Sequence, residues 1–88
     1  TAGKTDLVAK FNGTPSIIDF KTSRKTKKEE WIENYFLQST IYSMMFEALY
    51  KIKIPQIAII IAVDHEDPQL FVKDRGLYVN KVIELFTQ

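Results

Sequence analysis

Apolar and polar positions alternate with different periods along the chain, and the periods divide it into elements. "TDLVAKF" (5–11) and "SIIDFKT" (16–22) read as two strands, with the strong hairpin signal Asn12-Gly13 between them. Trp31, Tyr35, Gln38, Tyr42, Met45, Leu49 and Ile52 then recur at helical spacing and trace one face of a long helix, which Ile32, Phe36, Ile41, Met44 and Ala48 widen, the face expected to cover the sheet. Thr26-Lys-Lys-Glu29 fits a capping box at the helix start, and Pro55 stops any continuation beyond about Lys51. "QIAIIIAV" (56–63) is apolar without alternation, the pattern of a central strand covered on both faces. "DHEDP" (64–68) is a turn, and "QLFVK" (69–73) is a short strand expected to pair antiparallel with 56–63. A closing helix over 75–86 would bury Leu77, Val79, Val82, Ile83 and Phe86. The order ββαββα contains a strand–helix–strand crossover, which should be right-handed with its two strands parallel. The fold class is therefore α/β (α+β), a mixed β-sheet flanked by helices.

Composition narrows this picture a little. The chain has 88 residues, enough for one small domain with a thin core. A net charge of +1 supplies no global field for nucleic acid. The distribution is uneven, however, because Lys21, Arg24, Lys25, Lys27 and Lys28 crowd together. That run is either a solvated loop or a surface for phosphates. The absence of cysteine excludes disulfides, thiolate metal sites and Cys-held iron–sulfur clusters. The polar start "TAGKTDLVAK" carries no signal peptide, and "IAIIIAV" is far too short to span a bilayer.

Asp19 interrupts an otherwise buried run. If Asn12-Gly13 is a two-residue loop, Phe11 faces Thr14 and Asp6 falls opposite Asp19, at a position where side chains are closest. Lys21 shares the face of Asp19. Two opposed carboxylates need neutralising by Lys21, by a shared proton or by a hard divalent cation such as Mg²⁺ or Mn²⁺. Residue chemistry leaves a salt-bridge cluster and a metal site equally open. On the helix, Gln38 and Tyr42 bring polar groups to the predicted sheet-facing stripe. They are either satisfied locally or directed at the Asp19 cluster. Trp31 and Tyr35 are assigned to the core, with base stacking as the alternative.

Gly3-Lys-Thr-Asp6, Asp19-Phe-Lys21 and Gln38-Ser-Thr-Ile-Tyr42 occur in this order with the expected elements between them. In this the chain resembles the PD-(D/E)xK nuclease superfamily, specifically its RecB-like exonuclease branch. It is similar to the single-strand DNA exonucleases that include the mitochondrial genome maintenance exonuclease and related phage enzymes. The resemblance implies a restriction-endonuclease-like core and a Mg²⁺-dependent deoxyribonuclease, with Mn²⁺ as substitute, acting on single-stranded DNA or ends. Asp6 and Asp19, with the backbone carbonyl of Phe20, would hold the metal. Lys21 would position and deprotonate the attacking water, and Gln38 and Tyr42 would steady the site. Arg24, Lys25, Lys27 and Lys28 would meet the DNA backbone. The lack of cysteine separates the chain from relatives that carry an iron–sulfur cluster.

Members of the family begin with a further helix and strand before the Asp6 strand. Against that pattern residues 1–88 read as a single nuclease-core domain, N-terminally incomplete. The surface so left implies self-association into a homo-oligomer. The alternatives to an enzyme are a non-catalytic nucleic-acid-binding module and a self-associating module on the same fold. An intracellular location, cytoplasmic or organellar and not secreted or membrane-bound, goes with all of them.

Overall fold

The structure, a computed structural model, describes residues 7–87. Strand β1 (Leu7–Phe11) and strand β2 (Thr14–Ser23) form the expected hairpin. Asn12 and Gly13 both adopt positive φ, 52° and 82°, as a tight two-residue hairpin turn requires. Phe11 faces Thr14 and Leu7 faces Ile18, so the predicted register holds throughout the described pairs. Helix α1 (Glu33–Tyr50) leads to strand β3 (Gln56–Val63), then strand β4 (Gln69–Asp74) and helix α2 (Val79–Phe86). The sheet order is β1-β2-β3-β4, with β2 and β3 parallel and the two outer pairs antiparallel.

Side-chain alternation gives the sheet two unlike faces. One carries Ile57, Ile59, Ile61 and Val63 of β3, which close around Ile32 and Phe36 to form the core. Tyr35, Phe71 and Tyr78 seal its margin. The Phe36 ring stacks on Tyr78 at 5.3 Å and meets Phe71 edge-on at 6.3 Å. Both helices lie on this side. On the other face Ser16, Ile18 and Ala58 are buried, whereas Phe20, Ala62, Leu70 and Val72 are exposed. The two-sided cover expected for β3 is therefore complete on one face alone among the described residues.

Helix α1 departs from expectation at its start and in its orientation. No capping box forms. A single 3₁₀ turn spans Glu29–Trp31, and α1 begins after Ile32 without a side-chain cap. Its end is as expected, with Lys51 closing it in the left-handed region at φ 61° and donating its backbone N–H to Glu47 O. The predicted stripe meets the sheet only at the margin: Tyr35 packs against the core, and Tyr42, Met45 and Leu49 line a groove with Val8 and Ile17, whereas Ile32 and Phe36 beside the stripe are fully buried. The buried residues of α1 are Phe36, Ser39, Thr40 and Ser43, while Gln38, Tyr42, Met45 and Leu49 are exposed. Apolar residues surround this helix, so its amphipathicity is almost nil, and small side chains decide which face approaches the strands closely.

Thr40 and Ser43 find hydrogen-bond partners, whereas the buried Ser39 hydroxyl has none among the described residues. Thr40 Oγ1 donates to Phe36 O at 2.8 Å, and Ser43 donates to the carbonyl of Ile54. Arg75 reaches Ser43 Oγ at 3.0 Å and Glu47 Oε1 at 2.5 Å, and its backbone N–H donates to Pro55 O. The closing helix is also shorter than predicted. A 3₁₀ turn covers Arg75–Leu77, and of the five apolar residues expected in its core Val82 alone is buried.

Phe36→Ala should cost about 3–5 kcal/mol in urea unfolding, as for a large core aromatic. Leu49→Ala, on the predicted stripe but largely exposed, should stay within about 0.5 kcal/mol. Equal costs would mean that α1 is turned otherwise.

Burial holds the Tyr78 phenol above its usual 10.0, while the hydrogen bonds that Lys73 and Lys81 donate to Glu29 and Glu33 raise these lysines above 10.5. All three bind their protons more tightly when folded. Their stabilisation is complete below about pH 10 and is lost as pH rises through the raised values. Melting temperature should therefore fall from about pH 10 upward, with a shallower fall in Tyr78→Phe.

Candidate active site

Strand β2 carries Asp19 and Lys21 on the helix-covered face. The parallel register sets Asp19 opposite Ile59 and Lys21 opposite Ile61, so apolar neighbours desolvate both. Asp19 is 2% exposed, and its Oδ2 stands 3.4 Å from Lys21 Nζ. That is longer than the roughly 2.7–2.9 Å of a charge-assisted hydrogen bond. It is the one ion pair Asp19 makes among the described residues. Lys21 is half-buried, and its ammonium lies over the Tyr35 ring, 4.7 Å from the centroid. Tyr35 thus joins the cluster from α1. It was assigned to the core from sequence. Its place on one helix face with Gln38, three residues on, was the signal available.

Asp6, with Gly3, lies outside the described residues. The Phe20 side chain points to the opposite face and is exposed. Gln38 is exposed and makes no hydrogen bond among the described residues, which corrects its expected burial. Tyr42 is 37% exposed and lines an apolar groove of about 220 Å³ with Val8, Ile17, Met45 and Leu49. Neither Gln38 nor Tyr42 is hydrogen-bonded to Asp19 or Lys21.

The basic run leaves the end of β2 as an ordered loop. Ser23 Oγ donates to Lys25 O at 2.5 Å and accepts the Lys25 backbone N–H at 3.3 Å. The Gln69 side-chain amide clasps Lys27 by both backbone groups. Its Oε1 accepts the Lys27 N–H at 2.8 Å, and its Nε2 donates to Lys27 O at 2.9 Å. Arg24, Lys25 and Lys28 remain exposed around this anchor, with Lys27 half-buried. His65, at φ 62°, sits exposed with Asp64, Glu66 and Asp67 in the β3–β4 turn.

A profile of the PD-(D/E)XK nuclease superfamily matches residues 2–83. The chain belongs to the PD-(D/E)XK nuclease superfamily. A search of curated proteins gives no match. Members of this superfamily are nucleases that generally use divalent metals, so membership supports nuclease activity on a nucleic-acid substrate. The four-stranded mixed sheet with two helices agrees with a PD-(D/E)XK core.

A buried carboxylate costs several kcal/mol unless well compensated. A single lysine at 3.4 Å compensates Asp19 weakly. Among the described residues no three His, Cys, Asp or Glu side chains gather as a metal site. No described helix is long and apolar enough to cross a membrane.

The Gln69 clasp has a measurable consequence. Gln69→Ala removes both hydrogen bonds and leaves the Lys27 amide without its partner, at a cost of about 1–3 kcal/mol. Hydrogen exchange at the Lys27 amide should accelerate by one to two orders of magnitude, about the size of that loss. Unchanged exchange would show that the loop is held otherwise.

Proposed function

We propose that the chain is a Mg²⁺-dependent DNA exonuclease of the RecB-like branch. It hydrolyses phosphodiesters at single-stranded ends, with residues 1–88 acting as one nuclease-core domain. The observation that carries this reading is the buried Asp19, paired loosely with a lysine that a tyrosine ring holds in place. The resemblance of the three motifs supports the finer assignment.

Asp19 and Asp6, with the Phe20 backbone carbonyl, would hold the divalent ion. When bound, such an ion lowers the pKa of water and polarises the phosphoryl oxygen. Lys21 orients the attacking water, takes part in its deprotonation and offsets charge on the phosphate. The Tyr35 ring limits the positions open to the Lys21 ammonium, since a cation is held over an aromatic face. Gln38 and Tyr42, exposed on α1, are free to contact the substrate backbone. Arg24, Lys25, Lys27 and Lys28 guide the strand by its phosphates.

A second reading, self-association, draws on the exposed apolar side of α1, where Leu49 is 71% exposed. A non-catalytic binding module would differ from the enzyme in one respect: its DNA binding would survive loss of Asp19.

Calorimetric titration of Mn²⁺, paired with cleavage of an end-labelled single strand, tests the enzyme. Wild type should bind Mn²⁺ and cleave. Asp19→Asn and Asp6→Asn should lose both properties. Lys21→Met should keep the ion while kcat falls by about 10²–10³-fold, as when a charge-stabilising group is removed. Undiminished Mn²⁺ binding in Asp19→Asn would overturn the metal-ligand assignment.

A further inference from the structure

Trp31 is large, apolar and 60% exposed at the start of the long helix, outside the core assigned to it from sequence. The Lys28 ammonium lies over its ring, 5.4 Å from the centroid. The ring is therefore tethered from the basic loop and still more than half exposed. The loop itself is held by Ser23 and by the double clasp of Gln69. Arg24, Lys25 and Lys28 are thus presented beside the indole at little further ordering cost.

Acidic neighbours do not cancel this field. Glu29 is paired with Lys73 and Glu33 with Lys81, which leaves Glu30 as the acid next to Trp31 without an ion pair among the described residues. Four residues past Trp31 comes Tyr35, the ring that carries Lys21 and through it Asp19. Two ring–cation pairs, Lys28 on Trp31 and Lys21 on Tyr35, thus lie between the loop and Asp19.

We propose that Trp31 and the loop around Lys28 form a base-stacking platform for a single-stranded nucleic acid, directly beside the Asp19–Lys21 cluster. An indole stacks on any unpaired base, and neighbouring cations hold the phosphates on either side. A duplex keeps its bases stacked on each other, so its interior bases cannot lie on the ring. The proposal deepens the nuclease reading and rests on it for the direction of the strand toward Asp19. The platform itself is testable without catalysis.

Trp31 is the sole tryptophan, so intrinsic fluorescence reports on this ring alone. Oligothymidylate of about 12 nucleotides, within the span a small single-strand site covers, is titrated in EDTA at low salt. The comparisons are a duplex of equal length and an abasic oligomer of equal charge. Oligothymidylate should quench the emission saturably. The abasic oligomer should bind without that quench, and the duplex should quench weakly. By anisotropy of a labelled strand, Trp31→Leu should weaken binding about 10–100-fold, the loss of one stacked base. Trp31→Phe should recover much of that loss, and circular dichroism should show both variants folded.

Binding that leaves the emission unchanged, equal affinity in Trp31→Leu, or equal quenching by the duplex would overturn the platform. The nuclease reading is judged separately by cleavage with Mn²⁺. Cleavage without quenching sinks the platform alone. Quenching without cleavage supports the platform and removes the enzyme.

Discussion

The arrangement turns on one carboxylate kept almost dry. Asp19 sits in the middle of β2, beside the most apolar strand of the sheet and beneath α1. An ionised carboxylate there is tolerated only with a compensating charge, and Lys21 supplies it from the same strand face at a loose 3.4 Å. Lys21 in turn needs an anchor. The Tyr35 ring supplies one without adding a second anion, so the ammonium is held in place but not neutralised. A purely structural ion pair would gain from close contact and further hydrogen bonds. This pair has neither among the described residues, which is what supports the catalytic role proposed for it.

The hairpin, the parallel β2–β3 pair, the antiparallel β4 and the element order were all legible in the sequence. Asn12-Gly13, the unbroken β-branched run 57–63 and the crossover rule each act locally or by topology alone. The orientation of α1 was not legible. Its apolar residues occur on every side, so a stripe from Trp31 to Ile52 fits the spacing as well as any other. What decides the matter is close approach. Ser39, Thr40 and Ser43 let the helix lie near the strands, and Phe36 fills the space between β3, Phe71 and Tyr78. Hydrophobicity counts say nothing about that. The capping box at Thr26 failed for a related reason. The loop backbone is already engaged by Gln69 at Lys27, so the chain cannot enter a helix there.

The candidate site was legible to the extent that it is local. Asp19, Lys21 and the basic run fall within residues 19–28 and were named from sequence, whereas Tyr35 was assigned to the core and Gln38 and Tyr42, expected beside Asp19, lie exposed on α1. The parts that hold this segment come from far along the chain. Gln69 clasps Lys27 from the start of β4, and Arg75 ties Ser43 and Glu47 of α1 to the approach of β3. Such long-range polar contacts leave no periodic trace in sequence, and neither residue attracted notice there.

This division of labour explains why so polar a segment keeps its shape. A loop with five nearby cations should repel itself and sample many conformations. Here it is short, its centre is pinned through backbone groups and not through its charges, and its last cation rests on an indole. Arg24, Lys25 and Lys28 therefore stay exposed and without ion pairs among the described residues, while Glu29 and Glu33 are drawn away to Lys73 and Lys81. Lys73 of β4 and Lys81 of α2 thus take two of the three acids near the α1 start, while the exposed cations lie on the loop that leaves β2. Under the proposed function an anionic strand would meet attraction at the loop before it reached the desolvated acid, and a phosphate accompanied by a cation would enter more readily than a bare one.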